Sequence, residues 1–535
     1  MTFASSLTTL VAALVVYNAI AAAPQERPTF RTGTRLVEIS AIVTDKDRNS
    51  VPGLRAGDFE VFDNGQLQSV ELFSVEDDGA SKPTTNTVPA SADPGEFSNK
   101  VPRDGGVTVI LFDRLNTSDT DQMYAREHVA KFLEQIRPED RIGLYALDGG
   151  GFRVIHDFTN DAAALVRAMN RVRAMTSVEL AAITEAPALR EAAGAPTIDS
   201  EIAGLFAGLD GFRHMQEHYM GLAAVTSIDA LEAIAHHLGG VRGRKNLIWV
   251  SSGFRLSAFA YAGRGKTTEI SRATRALNDA NVAIYTVDAR GLVETISIPG
   301  RKTFTTQSTV SLNQDILQSV SERTGARAFL NTNDINGAVR RAADDARLTY
   351  VLGYYPTNDR SDGHFHHVRV KVNRPGLDVR HREGYFAQPT PKQVGAQRAA
   401  SLVTAIHSPI DASGLGLTVR IEPTGAKPSE ARLTLRLDPG SVPLEQRADR
   451  WIGKLDLVVA QLRADGTYVR SVENTIDVSV TKDGLAQVTR DGVNAIVTVA
   501  VLPDAQRLRI VVRDIKTGNL GAVGITAKQV RTIVP

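Results

Sequence analysis

The 535-residue chain contains no cysteine. That absence excludes disulfides, thiolate metal sites, a cysteine nucleophile and the lipid-modified cysteine of a bacterial lipoprotein. Net charge is almost absent too: 61 Lys and Arg against 60 Asp and Glu leave +1. A balance this even gives no electrostatic reason to expect nucleic acid or an anionic surface as partner. Beyond the first residues no stretch is long and apolar enough to span a bilayer. There is neither a P-loop nor a dinucleotide-type glycine fingerprint, and no solenoid-type repeat. Ser251-Ser252 lacks the G-x-S-x-G frame of a nucleophile elbow.

What is present is ordinary for soluble globular proteins, with 42% apolar and 23% charged residues. The length calls for two to four domains. Leu7 to Ala23 is an apolar run of small residues ahead of Gln25-Glu26-Arg27. It reads as a signal peptide over residues 1–23, cleaved after Ala21 or Ala23, and predicts a secreted or periplasmic protein. The competing reading is an uncleaved anchor, the one route by which the chain would touch a membrane.

The most informative stretch is Val107 to Ser118. An apolar run stops on Asp113 and a hydroxyl-bearing turn, as a strand buried on both faces does when it reaches the edge of a parallel sheet. A helical stripe from Ala125 to Ile136 and a second apolar strand, Ile142 to Leu147, complete a β-α-β opening. Further strands at Asn246 to Val250 and Val282 to Val287 end in Ser251-Ser252-Gly253 and Asp288. A last one is expected at Tyr350 to Tyr355, closing an α/β domain over 107–356. The long helix before Gly239-Gly240 carries its stripe on Leu222, Val225, Ile228, Leu231, Ile234, Ala235 and Leu238. Ligands bind outside the carboxyl ends of the strands in such open sheets, which makes Asp113 to Ser118 a candidate site.

The flanking regions have period two. A small β module over 36–76 is too short to bury its own face, and strands beyond residue 360 are candidates to cover it. A linker rich in Ser, Thr, Pro and Gly is expected over 77–106, a β extension over 357–388, a second linker over 389–413, and a β-sandwich over 414–535.

The buried strand ending in Asp113 with Asn116-Thr117 after it, the later RGRKNLIWVSSGF, and NVAIYTVDARG resemble the von Willebrand factor A-related domain of secreted acidobacterial proteins. The resemblance covers roughly Leu36 to Ala387. It implies a Rossmann-like, open, mostly parallel sheet, with an immunoglobulin-like element in the N-terminal β module. It also implies a metal-ion-dependent adhesion site made of Asp-x-Ser-x-Ser, a Thr from a second loop and a later Asp. Here Asp113 and Thr117 match, Leu115 replaces the middle Ser, Asn116 is the nearest substitute, and Ser252 stands where the later Asp would be. Thr226, or its neighbour Ser227, opens the helix where the second-loop Thr belongs. Asp113, Asn116, Thr117, Thr226 and Ser252 are therefore expected to form one polar cluster with weak affinity for Mg²⁺ or Ca²⁺. The bland reading is that Asp113 caps its turn.

The function implied is a non-enzymatic adhesion-type module for an extracellular or periplasmic protein. Two other readings compete with it. His214-Met215-Gln216-Glu217-His218 has the H-x-x-E-H spacing of inverted zinc peptidases, which need a third ligand from a neighbouring helix; Glu269 and Glu294 lie downstream, but nothing in the sequence locates that ligand. A structural envelope protein without metal is the other. His364 and His366 share a strand face, as surface residues or a two-imidazole metal site.

Overall fold

The computed structural model describes residues 36–77, 95–99, 107–174, 221–241, 243–253, 266–292, 306–345, 347–357, 364–387, 395–424 and 430–534. The expected signal segment, the insertion after residue 175 and the His214 to His218 motif lie outside them.

The chain opens with β1 (Val37–Thr44), β2 (Phe59–Asp63), β3 (Gln66–Gln68), β4 (Leu72–Asp77) and the short β5 (Glu96–Ser98). The α/β domain then supplies β6 (Val107–Asp113), β7 (Ile142–Asp148), β8 (Gly151–Thr159), β9 (Lys245–Ser251), β10 (Val282–Asp288) and β11 (Ala328–Phe329). These form one sheet in the order β11-β10-β9-β6-β7-β8. All neighbours are parallel except β7 and β8. The chain winds outward from β6 in one direction and from β9 in the other, so the order reverses between these two strands. That reversal opens a crevice at their carboxyl ends. All seven residues of β6, and all seven of β9 and of β10, are buried, because helices cover both faces. Alternation divides the strands between two cores. Val109, Leu111, Leu247 and Trp249 face the helix over residues 221–238. Ile110, Phe112, Ile248 and Val250 face the helices Asp119–Leu133 and Ile335–Asp344.

The strand expected to close this sheet does not belong to it. β12 (Leu348–Tyr354) pairs antiparallel with β1 on one side and β4 on the other. Both of its faces are buried, and a doubly covered antiparallel strand has the same unbroken apolar look as a parallel one. With β13 (Phe365–Val372), β14 (Asp378–Arg380) and β15 (Gly384–Phe386) it completes two four-stranded sheets, β14-β1-β12-β4 and β15-β13-β2-β3. Phe59, Val61, Tyr350, Leu352, Val368 and Val370 fill the space between them. This sandwich meets the amino ends of the parallel strands. Ser40 bonds to Asn281 at 3.2 Å, Glu76 accepts the Arg244 amide at 3.3 Å, and Arg382 donates to the Asn278 carbonyl at 3.0 Å. It therefore sits at the end of the sheet opposite Asp113.

The second sandwich consists of β16 (Leu417–Pro423), β17 (Glu430–Leu437), β18 (Glu445–Arg447), β19 (Arg450–Leu462), β20 (Tyr468–Val480), β21 (Val493–Ala500), β22 (Arg507–Asp514) and β23 (Leu520–Thr526). Three features depart from the sequence reading. β5, placed in a linker by composition, pairs with β16. Asn99 next to it fixes the register, donating to the Leu415 carbonyl at 2.8 Å and accepting from the Leu417 amide at 2.7 Å. Within the second expected linker lies the helix Gly395–His407, whose Ala405 and Ile406 pack on Val511 and Ala522. The Asp483-Gly484 pair, a turn-forming dipeptide inside the expected β-sandwich, lies in the first turn of the helix Lys482–Asp491, capped by Thr481. Composition finds turn formers; it does not see the tertiary surface that a short helix or edge strand will cover.

The helix over 221–238 joins this sandwich to the α/β domain. Ser413 donates its amide to the His236 carbonyl at 3.0 Å, and its hydroxyl accepts the Gly240 amide at 2.9 Å. A Cβ on Gly240 would lie 2.2 Å from the Ser413 carbonyl oxygen, so the close approach of the two chains requires glycine there.

Candidate functional site

Asp113 ends β6 and is fully buried. Its Oδ1 accepts the backbone amides of Leu115 and Asn116, both at 3.0 Å. Its Oδ2 accepts from Asn116 Nδ2 at 2.8 Å, Trp249 Nε1 at 3.1 Å and Ser251 Oγ at 2.7 Å. Five donors converge on one carboxylate. Burial pushes the Asp113 carboxyl above its ordinary value, and the hydrogen bonds from Ser251, Asn116 and Trp249 oppose that shift. Among the described residues no cation is a hydrogen-bond partner, and neutral donors compensate its charge.

The network extends outward. Asn116 Nδ2 also donates to Ser227 Oγ at 2.9 Å, and Ser227 returns a bond to the Ala223 carbonyl at 2.8 Å. Thr117 Oγ1 accepts the Ser252 amide at 3.2 Å, and Ser251 Oγ accepts the Gly253 amide at 3.0 Å. Ser118 caps the helix Asp119–Leu133 by accepting the Asp121 amide. The short polar segment after β6 is thus tied through Thr117 to the end of β9 and through Asn116 to the helix over 221–238.

Of the five expected residues, Asp113 and Asn116 touch directly, and Thr117 meets Ser252 through the latter's backbone. Thr226 is a correction: its hydroxyl bonds back to the Leu222 carbonyl at 2.9 Å, at a half-buried position away from Asp113. Ser227 takes its place. It lies on the buried stripe with Ala223, Ala224, Ile228 and Leu231, so the helical spacing carried the answer. Ser251 and Trp249 are members that the sequence reading missed. Leu111 pairs with Trp249 and Phe112 with Val250, and side chains alternate, so Asp113 shares its face with Trp249 and Ser251 and not with Ser252. The Ser252 hydroxyl is buried without a hydrogen-bond partner, as is Asn313 Oδ1. Asn313 lies against Gly253, whose φ is +90°.

The next acid along the edge is Asp288, also fully buried. Arg290 holds it with Nε at 2.9 Å and Nη2 at 2.7 Å, and Gln314 donates at 3.3 Å. Elsewhere, His366 faces inward and not outward: its Nδ1 lies 2.8 Å from Asp63 Oδ1. Among the described residues no group of three or more His, Asp or Glu is arranged to hold a metal ion.

No family model matches the chain, and no curated protein does. Among solved structures it is similar to the SpRpn10 VWA domain, with 11% identity and a TM-score of 0.22 over 44% of this chain and 95% of that one. It is also similar to the pilus adhesin SpaC from Lactobacillus rhamnosus GG, with 10% identity and a TM-score of 0.26. That match covers 85% of this chain and 57% of the adhesin chain. Scores this low carry no weight for function, and the mixed α/β architecture stands on the strand order itself.

Proposed function

We propose that the chain is an exported, non-enzymatic protein-binding module, related to von Willebrand factor A domains, which engages an extracellular or periplasmic protein with the carboxyl edge of its six-stranded sheet. One observation carries this reading. Among the described residues of the α/β domain, the large apolar side chains that are exposed are Met123, Leu222 and Leu292, at 51%, 52% and 59%. All three lie at the carboxyl edge. Met123 is the fifth residue of the helix after Asp113, Leu222 precedes the turn that carries Ser227, and Leu292 follows β10. The segments that carry Met123 and Leu292 meet here: the Tyr124 ring lies 3.8 Å from the Cβ position of Gly291, and Asn333 accepts from both the Tyr124 hydroxyl and the Leu292 amide. Exposed apolar side chains beside a rigid polar crevice are what a protein interface uses as anchors. The β modules space this edge away from the rest of the chain.

The test is capture of a partner from the native organism's envelope fraction by the full chain. Met123→Glu or Leu292→Glu lowers capture at least about tenfold, as loss of an anchor residue does. The same change at Ile496, 67% exposed on β21, leaves capture unchanged. Equal capture by all three variants would refute the assignment of this edge.

A further inference from the structure

We propose that the Asp113 cluster is a metal-independent hydrogen-bond hub, in which protein donors occupy the place that a divalent cation takes in an adhesion site. The proposal concerns Asp113 alone and stands whether or not the edge binds a protein.

A carboxylate has about four lone-pair positions, and Asp113 already meets five donors. Ser251 could rotate its hydroxyl, and Asn116 could turn its amide. Trp249 can do neither. The indole nitrogen is a donor only, and its N–H donates to Oδ2. Its ring is fully buried in the core beneath the crevice, so it cannot swing away without opening that core. A magnesium or calcium ion at Oδ2 would therefore meet a positive N–H dipole in place of an oxygen.

Among the described residues, the neighbouring strand end offers no free carboxylate as a substitute. Hard divalent cations need several oxygens, usually with more than one carboxylate. Asp288 is bound in bidentate fashion by Arg290, which compensates its charge. The Ser227 hydroxyl is engaged by Asn116 and Ala223, and the Thr226 hydroxyl by Leu222. The substitution of Leu115 for a hydroxyl residue has the same sense: Leu115 is buried in the core that holds Trp249, and contributes packing where a ligand would stand.

The experiment is titration of the chelator-treated full chain with Mg²⁺, Ca²⁺ and Mn²⁺, followed by calorimetry. In parallel, the emission of Trp249 is read in a Trp451→Phe variant, since these are the chain's two tryptophans. The expected result is no one-equivalent binding tighter than about 1 mM, the weak end for extracellular calcium modules, and no change in Trp249 emission. One-equivalent binding below that value accompanied by a shift of Trp249 emission would overturn the proposal. Should the variant fold poorly, the heats from the unmodified chain decide alone: one-equivalent binding below 1 mM that is absent from Asp113→Asn overturns it, and its absence supports it.

Discussion

Two buried carboxylates bolt this molecule together, and they do so with different chemistry. Asp113 gathers backbone amides, an asparagine, a serine and an indole, so its partners are all neutral. Asp63, in the first sandwich, accepts Tyr354 at 2.9 Å and Tyr385 at 2.6 Å, with His366 at 2.8 Å on its other oxygen. Tyr354 comes from the opposite sheet, so the bolt crosses the sandwich. Burial and the Asp63 carboxylate hold both phenols well above the ordinary tyrosine value, and the Tyr385 hydroxyl adds to the rise at Tyr354, which keeps them donors. A buried acid survives in either setting because its lone pairs are filled. Neutral donors from backbone, amide, hydroxyl and indole shape the crevice at Asp113; two phenols and an imidazole tie the structural core at Asp63.

The largest effect that tests this contrast is expected from Asp113→Asn. Its amide would turn N–H groups toward donors on Trp249 and Ser251, at a cost of about 3 kcal/mol or more. Asp63→Asn is expected to cost less, about 2 kcal/mol, because tyrosine hydroxyls can also accept and reorient. Urea unfolding of both variants at pH 7 ranks them, and a larger loss at Asp63 would reverse the comparison. Trp249→Phe removes one of five donors and part of a buried ring, for about 1 to 2 kcal/mol by the same measurement.

Acid provides a second contrast. Burial, with the nearby Arg513 charge, lowers the His236 pKa to about 4 from 6.5. The unfolded chain then takes up a proton near pH 6.5 that the folded chain refuses until about 4. Stability contributed here is full above 6.5 and falls as pH drops toward 4, where helix 221–238 meets the C-terminal sandwich. His236→Gln should flatten that part of the stability profile, and an unchanged pH dependence would assign the acid sensitivity elsewhere. The smallest effect expected is Thr226→Ala, within about 0.5 kcal/mol, against about 1 kcal/mol for Ser227→Ala, which removes one of the two acceptors of Asn116 Nδ2.

That last pair also marks what was legible in the sequence. The parallel sheet and its crevice followed from apolar runs that end on polar residues, and Asp113 from the end of the first run. Ser227 and Ser251 were within reach of the same periodicities. Resemblance to an adhesion site favoured Thr226 and Ser252, and only parity along β9 and the stripe of the helix correct it. β12 was hidden for a different reason: burial on both faces erases the alternation that tells an antiparallel strand from a parallel one. β5 and Gly395–His407 were hidden because their stability comes from the surface they cover.

The most direct test of the hub is the thermal stability of Asp113→Asn, compared with the unmodified chain in EDTA. A vacated metal site holds an unneutralised buried carboxylate, and its removal would leave the melting temperature unchanged or raise it. A hub loses acceptors that no other group replaces. The account predicts a melting temperature several degrees lower in EDTA and equally lower in millimolar Mg²⁺; a variant as stable as the unmodified chain, or more so, would contradict it.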